Sequence, residues 1–180
     1  GGVEGDGAAG VAPISDGGFV VAGDAIGSSW GGTPISGVHG SKDIFVAKLE
    51  ADGVRSWFTF VGTAMQEACE AVAADDGGIY VTGSTNAGVN IYVAKLSTTG
   101  TLRWQRVITS TLGDLGAGRA IAVDAAGHVI VVGDGVGNWA GLGAPVNANA
   151  GSRDGFVAKL NGESGDVLWH TFVGSASADD

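Results

Sequence analysis

A chain of 180 residues, 44% of them hydrophobic, is long enough for one domain with a substantial core, and such a composition argues against disorder. The formal net charge of −10 repels phosphate backbones and anionic membrane surfaces, which argues against nucleic-acid binding. No apolar run approaches the roughly 20 residues of a membrane-spanning helix, and the single cysteine, Cys69, excludes an internal disulfide while leaving the compartment open.

The 34 glycines follow no Gly-X-Y period and lie between runs rich in Val, Ile, Phe and Tyr, so they predict many short strands joined by tight turns. In chain order, GVAPISDGGFVVAG (10–23) reads as strand, turn, strand. The long loop DAIGSSWGGTPISGVHGSKD (24–43) follows, and then DIFVAKLEADGVRSW (43–57) supplies two more extended stretches. The same unit returns as AVAADDGGIYVTG (71–83), the short loop STNAGVN (84–90) and NIYVAKLSTTGTLRW (90–104). It returns again as AIAVDAAGHVIVVG (120–133), the long loop DGVGNWAGLGAPVNANAGSRD (134–154) and DGFVAKLNGESGDVLW (154–169).

Each unit therefore holds four stretches, A to D, which in the second unit are 70–74, 79–83, 91–96 and 102–108. Turn residues such as Asp75, Asp76, Gly77 and Gly78 separate neighbours as antiparallel hairpins require. The predicted fold is all-β: a β-propeller of four-stranded antiparallel blades, about three in this chain, at about 8–62, 68–110 and 117–174 within one region spanning 1–180.

The succession AIAVDAAGHVIVVGD, a variable loop and DGFVAKLNGESGDVLWHTFVG resembles the bacterial seven-bladed β-propeller repeat known as SBBP, in its aromatic-Val-Ala-Lys-Leu and Gly-x-x-x-Trp elements. The resemblance covers essentially the whole chain and implies a bacterial extracellular or cell-envelope protein. That family is defined by its fold, so it implies no single activity. The second unit departs from the pattern, with a short B to C loop and ITS where the others have FVG.

Trp57, Trp104 and Trp169 each follow a turn glycine by four residues, which places each indole at the same point of stretch D, where it is expected to cover the junction with the next blade. Lys48, Lys95 and Lys159 recur inside apolar segments, so each is expected to have a partner among the turn carboxylates Asp16, Asp75 or Asp76, and Asp124. The alternatives are a lysine snorkelling to water or, least favoured, a catalytic one.

Ligand contacts are expected on the B to C loops, with Trp30, His39, Trp139 and Asn147 as the candidates, because loops on a rigid scaffold carry specificity. Exposed indoles there would suit a carbohydrate or protein ligand, whereas the favoured alternative folds each indole back onto its own loop. Acidic residues of the D to A connectors are Glu4, Asp6, Glu67, Glu70, Asp114, Asp179 and Asp180, and Glu67 with Asp114 is the weak candidate pair for a calcium ion. No dense acidic loop motif accompanies them, solvated surface charge is the simpler reading, and otherwise no cofactor is expected.

No catalytic residue is assigned, because His39, His128 and His170 occupy unrelated repeat positions and neither a zinc spacing nor a Ser/His/Asp order emerges. The primary expectation is a non-catalytic interaction or adhesion scaffold. A hydrolase or lyase with an acidic top face and a structural subunit of a larger assembly are the alternatives. Three blades are fewer than the four to eight of closed propellers. Further blades are therefore expected, from the same longer chain, which the absence of an initiator methionine favours, or from a second copy closing a six-bladed ring.

Overall fold

The computed structural model describes residues 5–27, 30–110, 116–137, 139–151 and 153–175. Its twelve strands form three four-stranded antiparallel sheets, and the described residues contain no helix. The first blade is β1 (Asp6–Pro13), β2 (Phe19–Ala25), β3 (Asp43–Leu49) and β4 (Arg55–Val61). The second is β5 (Glu67–Asp75), β6 (Gly78–Thr85), β7 (Asn90–Leu96) and β8 (Leu102–Ile108). The third is β9 (Gly116–Val123), β10 (Val129–Gly135), β11 (Asp154–Leu160) and β12 (Val167–Val173).

Strands are neighbours in chain order within each sheet, the up-and-down meander of a propeller blade. The blades follow one another in sequence, since β5 packs on β1 and β2 while β9 packs on β5 and β6. This is a partial propeller of about three blades, and it does not close. Asp6 belongs to β1, where the sequence suggested a connector. Glu4, Asp114, Asp179 and Asp180 lie outside the described residues.

Alternation along each strand sends one set of side chains to the preceding blade and the other to the following one. Ile44, Val46 and Val61 of the first blade meet Val81, Tyr92, Ala94 and Leu96 of the second in one core. Ile91, Val93 and Ile108 of the second meet Val131, Phe156, Ala158 and Phe172 of the third in another. The middle blade is buried on both faces, and all eight residues of β6 are buried. Here the strand periodicity is masked by two-sided burial.

The first strand of every blade carries a bulge at the same register, with Ala9, Glu70 and Arg119 as the extra residues. Opposite each bulge stands the glycine that closes stretch B. A Cβ on Gly23, Gly83 or Gly133 would lie 1.9, 1.9 or 2.0 Å from a backbone carbonyl of the bulged strand. The recurring glycine is thus the partner of the bulge, which turns its extra side chain out of the ladder.

The repeated lysines find carboxylates. Lys48 pairs with Asp16 at 2.5 Å and Lys159 with Asp124 at 2.7 Å, both across one blade. The Lys159 ammonium, backed by the backbone N–H groups of His128 and Ala126, holds the Asp124 carboxyl down at about 2. Lys95 corrects the expectation of Asp75 or Asp76: its ammonium donates to Glu163 Oε1 at 2.7 Å and to the Gly162 carbonyl at 2.9 Å, both in the third blade. The turn between β11 and β12 is one residue longer than its sisters, and it reaches across the junction.

The three tryptophans of stretch D differ by neighbour. Trp104 is 9% exposed and its indole N–H donates to the Gly162 carbonyl at 3.1 Å. Gly165, at φ +72°, lies so flat on that ring that a Cβ would stand 2.7 Å from it. Gly100, at φ +84°, lies on Trp57 in the same way, with a Cβ at 2.8 Å. Trp169 has no following blade in the structure and is 40% exposed.

Candidate functional site

The two long loops do not present their indoles to solvent as a pair. Each folds back onto the face of its own blade that looks toward the preceding one. Trp30 packs on Phe45, Phe58 and Phe60, with ring centroids 4.3, 5.9 and 5.8 Å away. Trp139 stacks on His170 at 4.5 Å and 7° and meets Phe156 and Phe172 edge-on. At 3% exposure Trp139 is a wedge in the core between the second and third blades, turned inward and not presented to solvent as a ligand platform. Burial draws the His170 imidazole below its ordinary pKa.

His39 and Asn147 also hold the loops. The His39 backbone N–H donates to Asp43 at 2.7 Å, and Ser36 Oγ lies 3.3 Å from its ring. The Asn147 side chain donates to Thr171 at 3.1 Å while its carbonyl accepts from the Phe172 N–H, so the loop continues the sheet beyond β12. Ser36 does the same beside β4 through Phe60. These pairings cover the outer edge strands.

Glu67 is buried, and its carboxylate accepts from the Thr63 N–H at 3.1 Å and from the hydroxyls of Thr63 and Thr85 at 2.6 and 2.5 Å. Asp43 is buried beside it. Burial raises the Asp43 carboxyl above its usual range, the Glu67 charge adds to that, and the N–H groups of His39 and Gly40 oppose it. Asp114, the other half of the calcium candidate, lies outside the described residues, and these contain no cluster of three or more metal-ligating side chains.

What the fold does assemble is a polar cleft of about 350 Å³ on the face carrying the B to C loops, above the short loop of the second blade. Two bulge residues meet there: Arg119 pairs with Glu70 at 2.7 Å across the blade junction. Asp134 then joins Arg119 at 2.7 Å to Arg153 at 2.6 Å. Burial pushes the Asp134 carboxyl up, but the two guanidiniums win and hold it below the usual carboxylate range; Asp134 in turn raises Arg119. On the other side Lys42 pairs with Asp24 at 2.5 Å.

Lys42 and Arg153 are the same repeat position, the residue before the buried aspartate that opens stretch C. The cleft lies above the second blade's B to C loop, which is short and stands between them. Asn86 and Ala87 turn it at φ 55° and 57°, and the left-handed conformation of a non-glycine residue such as Ala87 costs roughly 1–2 kcal/mol. Lys42, Arg153, Ser84, Ala87 and Gly88 line the opening together. The sequence signal for this site was the pair SKD and SRD at the ends of the two long loops; the bulge residues had no visible signal, because a bulge is a register event between strands.

Among the described residues no helix is long and apolar enough to cross a membrane. No family model matches the chain, and no curated protein matches it. Among solved structures it is similar to a protein of unknown function from Bacteroides caccae, at 13% identity and a TM-score of 0.45 over 93% of this chain. This chain spans 61% of the length of that protein. The class of protein is defined by its own sheets, a partial β-propeller of four-stranded blades.

Proposed function

We propose that the chain is a non-catalytic interaction scaffold, with the rigid propeller blades presenting the cleft above the second blade's short loop to a protein or carbohydrate ligand. The observation that supports this reading is the convergence of Lys42, Arg153, Arg119 and Glu70 on one solvent-facing depression that Ala87 and Gly88 also line. Donors and acceptors of both signs suit a ligand rich in carboxyl, amide or hydroxyl groups. The inward-turned loop indoles support it indirectly, since a loop clamped by a tryptophan holds its last residue in one place. An SBBP-type repeat and a bacterial extracellular or cell-envelope location belong to this proposal through the resemblance of the repeat elements.

Screening the labelled chain on a glycan array and a random peptide library tests the proposal. Binders are expected to lose about tenfold or more in affinity for the Lys42→Glu/Arg153→Glu variant, the worth of one or two charge-assisted hydrogen bonds. Binders that recognise wild type and variant equally would place the interaction elsewhere. If neither collection yields a binder, the structural-subunit reading replaces this one; it draws on the exposed outer face of the third blade.

A further inference from the structure

The two internal blade junctions share one device, and the outer faces of the first and third blades each carry one half of it that no described residue fills. At both junctions the glycine of a β-turn between stretches C and D lies on the tryptophan of the blade before: Gly100 on Trp57, Gly165 on Trp104. Gly53 has the same left-handed backbone, φ +84°, and no atom within 4 Å of where its Cβ would stand. Trp169 has the exposed ring. In the same blade Val146, Val173 and Leu168 are 71, 64 and 49% exposed. Val146 holds the place in its loop that Ile35 holds in the first, and the Ile35 side chain touches the Gly100 turn.

The loop indoles tell the same story. Trp139 shares a core with Ile91, Val93 and Ile108 of the blade before. On the outer face of the third blade the matching positions are Gly155, Val157 and Val173, which with Val132 line an apolar hollow of about 520 Å³. A glycine where Ile91 stands leaves room for a ring. Trp30 sits on the open face of the first blade in the orientation of such a wedge.

We propose that the outer face of the third blade binds the first blade of a second copy of this chain, head to tail, with Gly53 seated on Trp169 and Trp30 entering the hollow at Gly155. The occupant is a second copy because the two unused halves belong to one sequence and complement each other in the register of the existing junctions. The contact is heterologous, so two copies that close make a six-bladed ring. It is separate from the cleft of the proposed function, and either can fail without the other.

Light scattering on the size-separated full chain across micromolar concentrations tests it. The expected mass is twice the 17.7 kDa of one chain. Trp169→Asp and Gly53→Asn should each weaken association at least about 30-fold, as removal of an interface anchor does. Both sites are exposed, and asparagine tolerates a left-handed backbone, so the circular dichroism and melting temperature of each monomer should match wild type. Mixing the two variants should restore a dimer, because one junction then joins two intact halves. A wild-type chain that stays monomeric throughout, as it would if further blades of a longer chain are the natural occupants, overturns the proposal. So does a dimer that both variants leave intact.

Discussion

Trp139→Ala is expected to cost about 3–5 kcal/mol of stability, the range for truncating a buried aromatic. The indole touches no solvent to speak of, stacks on His170, and meets Phe156 and Phe172 edge-on. Its backbone pairs with Ser110, and the next residue, Ala140, donates to the Thr109 carbonyl at 2.8 Å, so the ring also ties the loop to the middle blade. The cavity left behind lies between two rigid sheets that have little freedom to collapse. Trp30→Ala removes the same contacts from an open face and should cost about half as much, because part of the ring already meets water. Urea unfolding of the two variants checks this pair. Equal losses would mean that Trp139 does not act as an inter-blade wedge.

Gly83→Ala should be as damaging despite adding a single methyl. The new Cβ would stand 1.9 Å from the Ala68 carbonyl oxygen, 2.9 Å from its carbon and 3.2 Å from the Cys69 Cα, all backbone atoms. No rotamer change relieves that overlap, so either β6 separates from β5 or the bulge at Glu70 is lost. A cost at or beyond the upper end of about 1–3 kcal/mol follows. A second consequence is local: Glu70 leaves its place opposite Arg119, and the cleft loses the ion pair that spans the junction. Gly37→Ala is the control, since nothing lies within 4 Å of its Cβ direction and its backbone is not left-handed. It should change stability by no more than about 0.5 kcal/mol. Thermal melts of both variants provide the comparison, and a Gly83→Ala protein as stable as the control would refute the bulge account.

The repeat made the architecture legible because propeller blades write the same local chemistry into each copy: paired turn residues, alternating strands, a closing glycine and a fixed glycine-to-tryptophan spacing. Strand limits in the second blade differ mainly at β5, which begins at Glu67 because Glu67 and Ala68 pair with Thr85 and Ser84. That extension depends on the neighbouring blade, where the Lys42 carbonyl accepts from the Glu67 N–H at 2.9 Å, and a contact between blades leaves no periodic trace. The departures of the second unit had a tertiary cause as well. Thr109, at the position where the other blades have Gly62 and Gly174, and the following Ser110 receive the wedge loop of the third blade.

The site was less legible than the fold. Tryptophans in glycine-rich loops fit either an exposed stacking platform or an indole folded back onto its loop, and the three-dimensional neighbours, Phe45 and Phe60 for Trp30 and Phe156 and Phe172 for Trp139, show them turned inward. Glu67 was conspicuous as an acidic connector residue, but threonine hydroxyls from two different segments close around it. Glu70 stood out only as one acidic connector residue among several and Arg119 as a single charge, until the bulges turned them toward each other.

The central claim is an open arc of three blades in which the second is enclosed by the first and third. Hydrogen exchange of the backbone amides, followed peptide by peptide, tests it most directly. Amides of β6 and β7 should exchange slowest, with opening free energies approaching that of global unfolding. Those of β11 and β12, with one face bare, should exchange faster at protein concentrations where the chain is monomeric. Equal protection of the third and second blades in the monomer would contradict the arrangement.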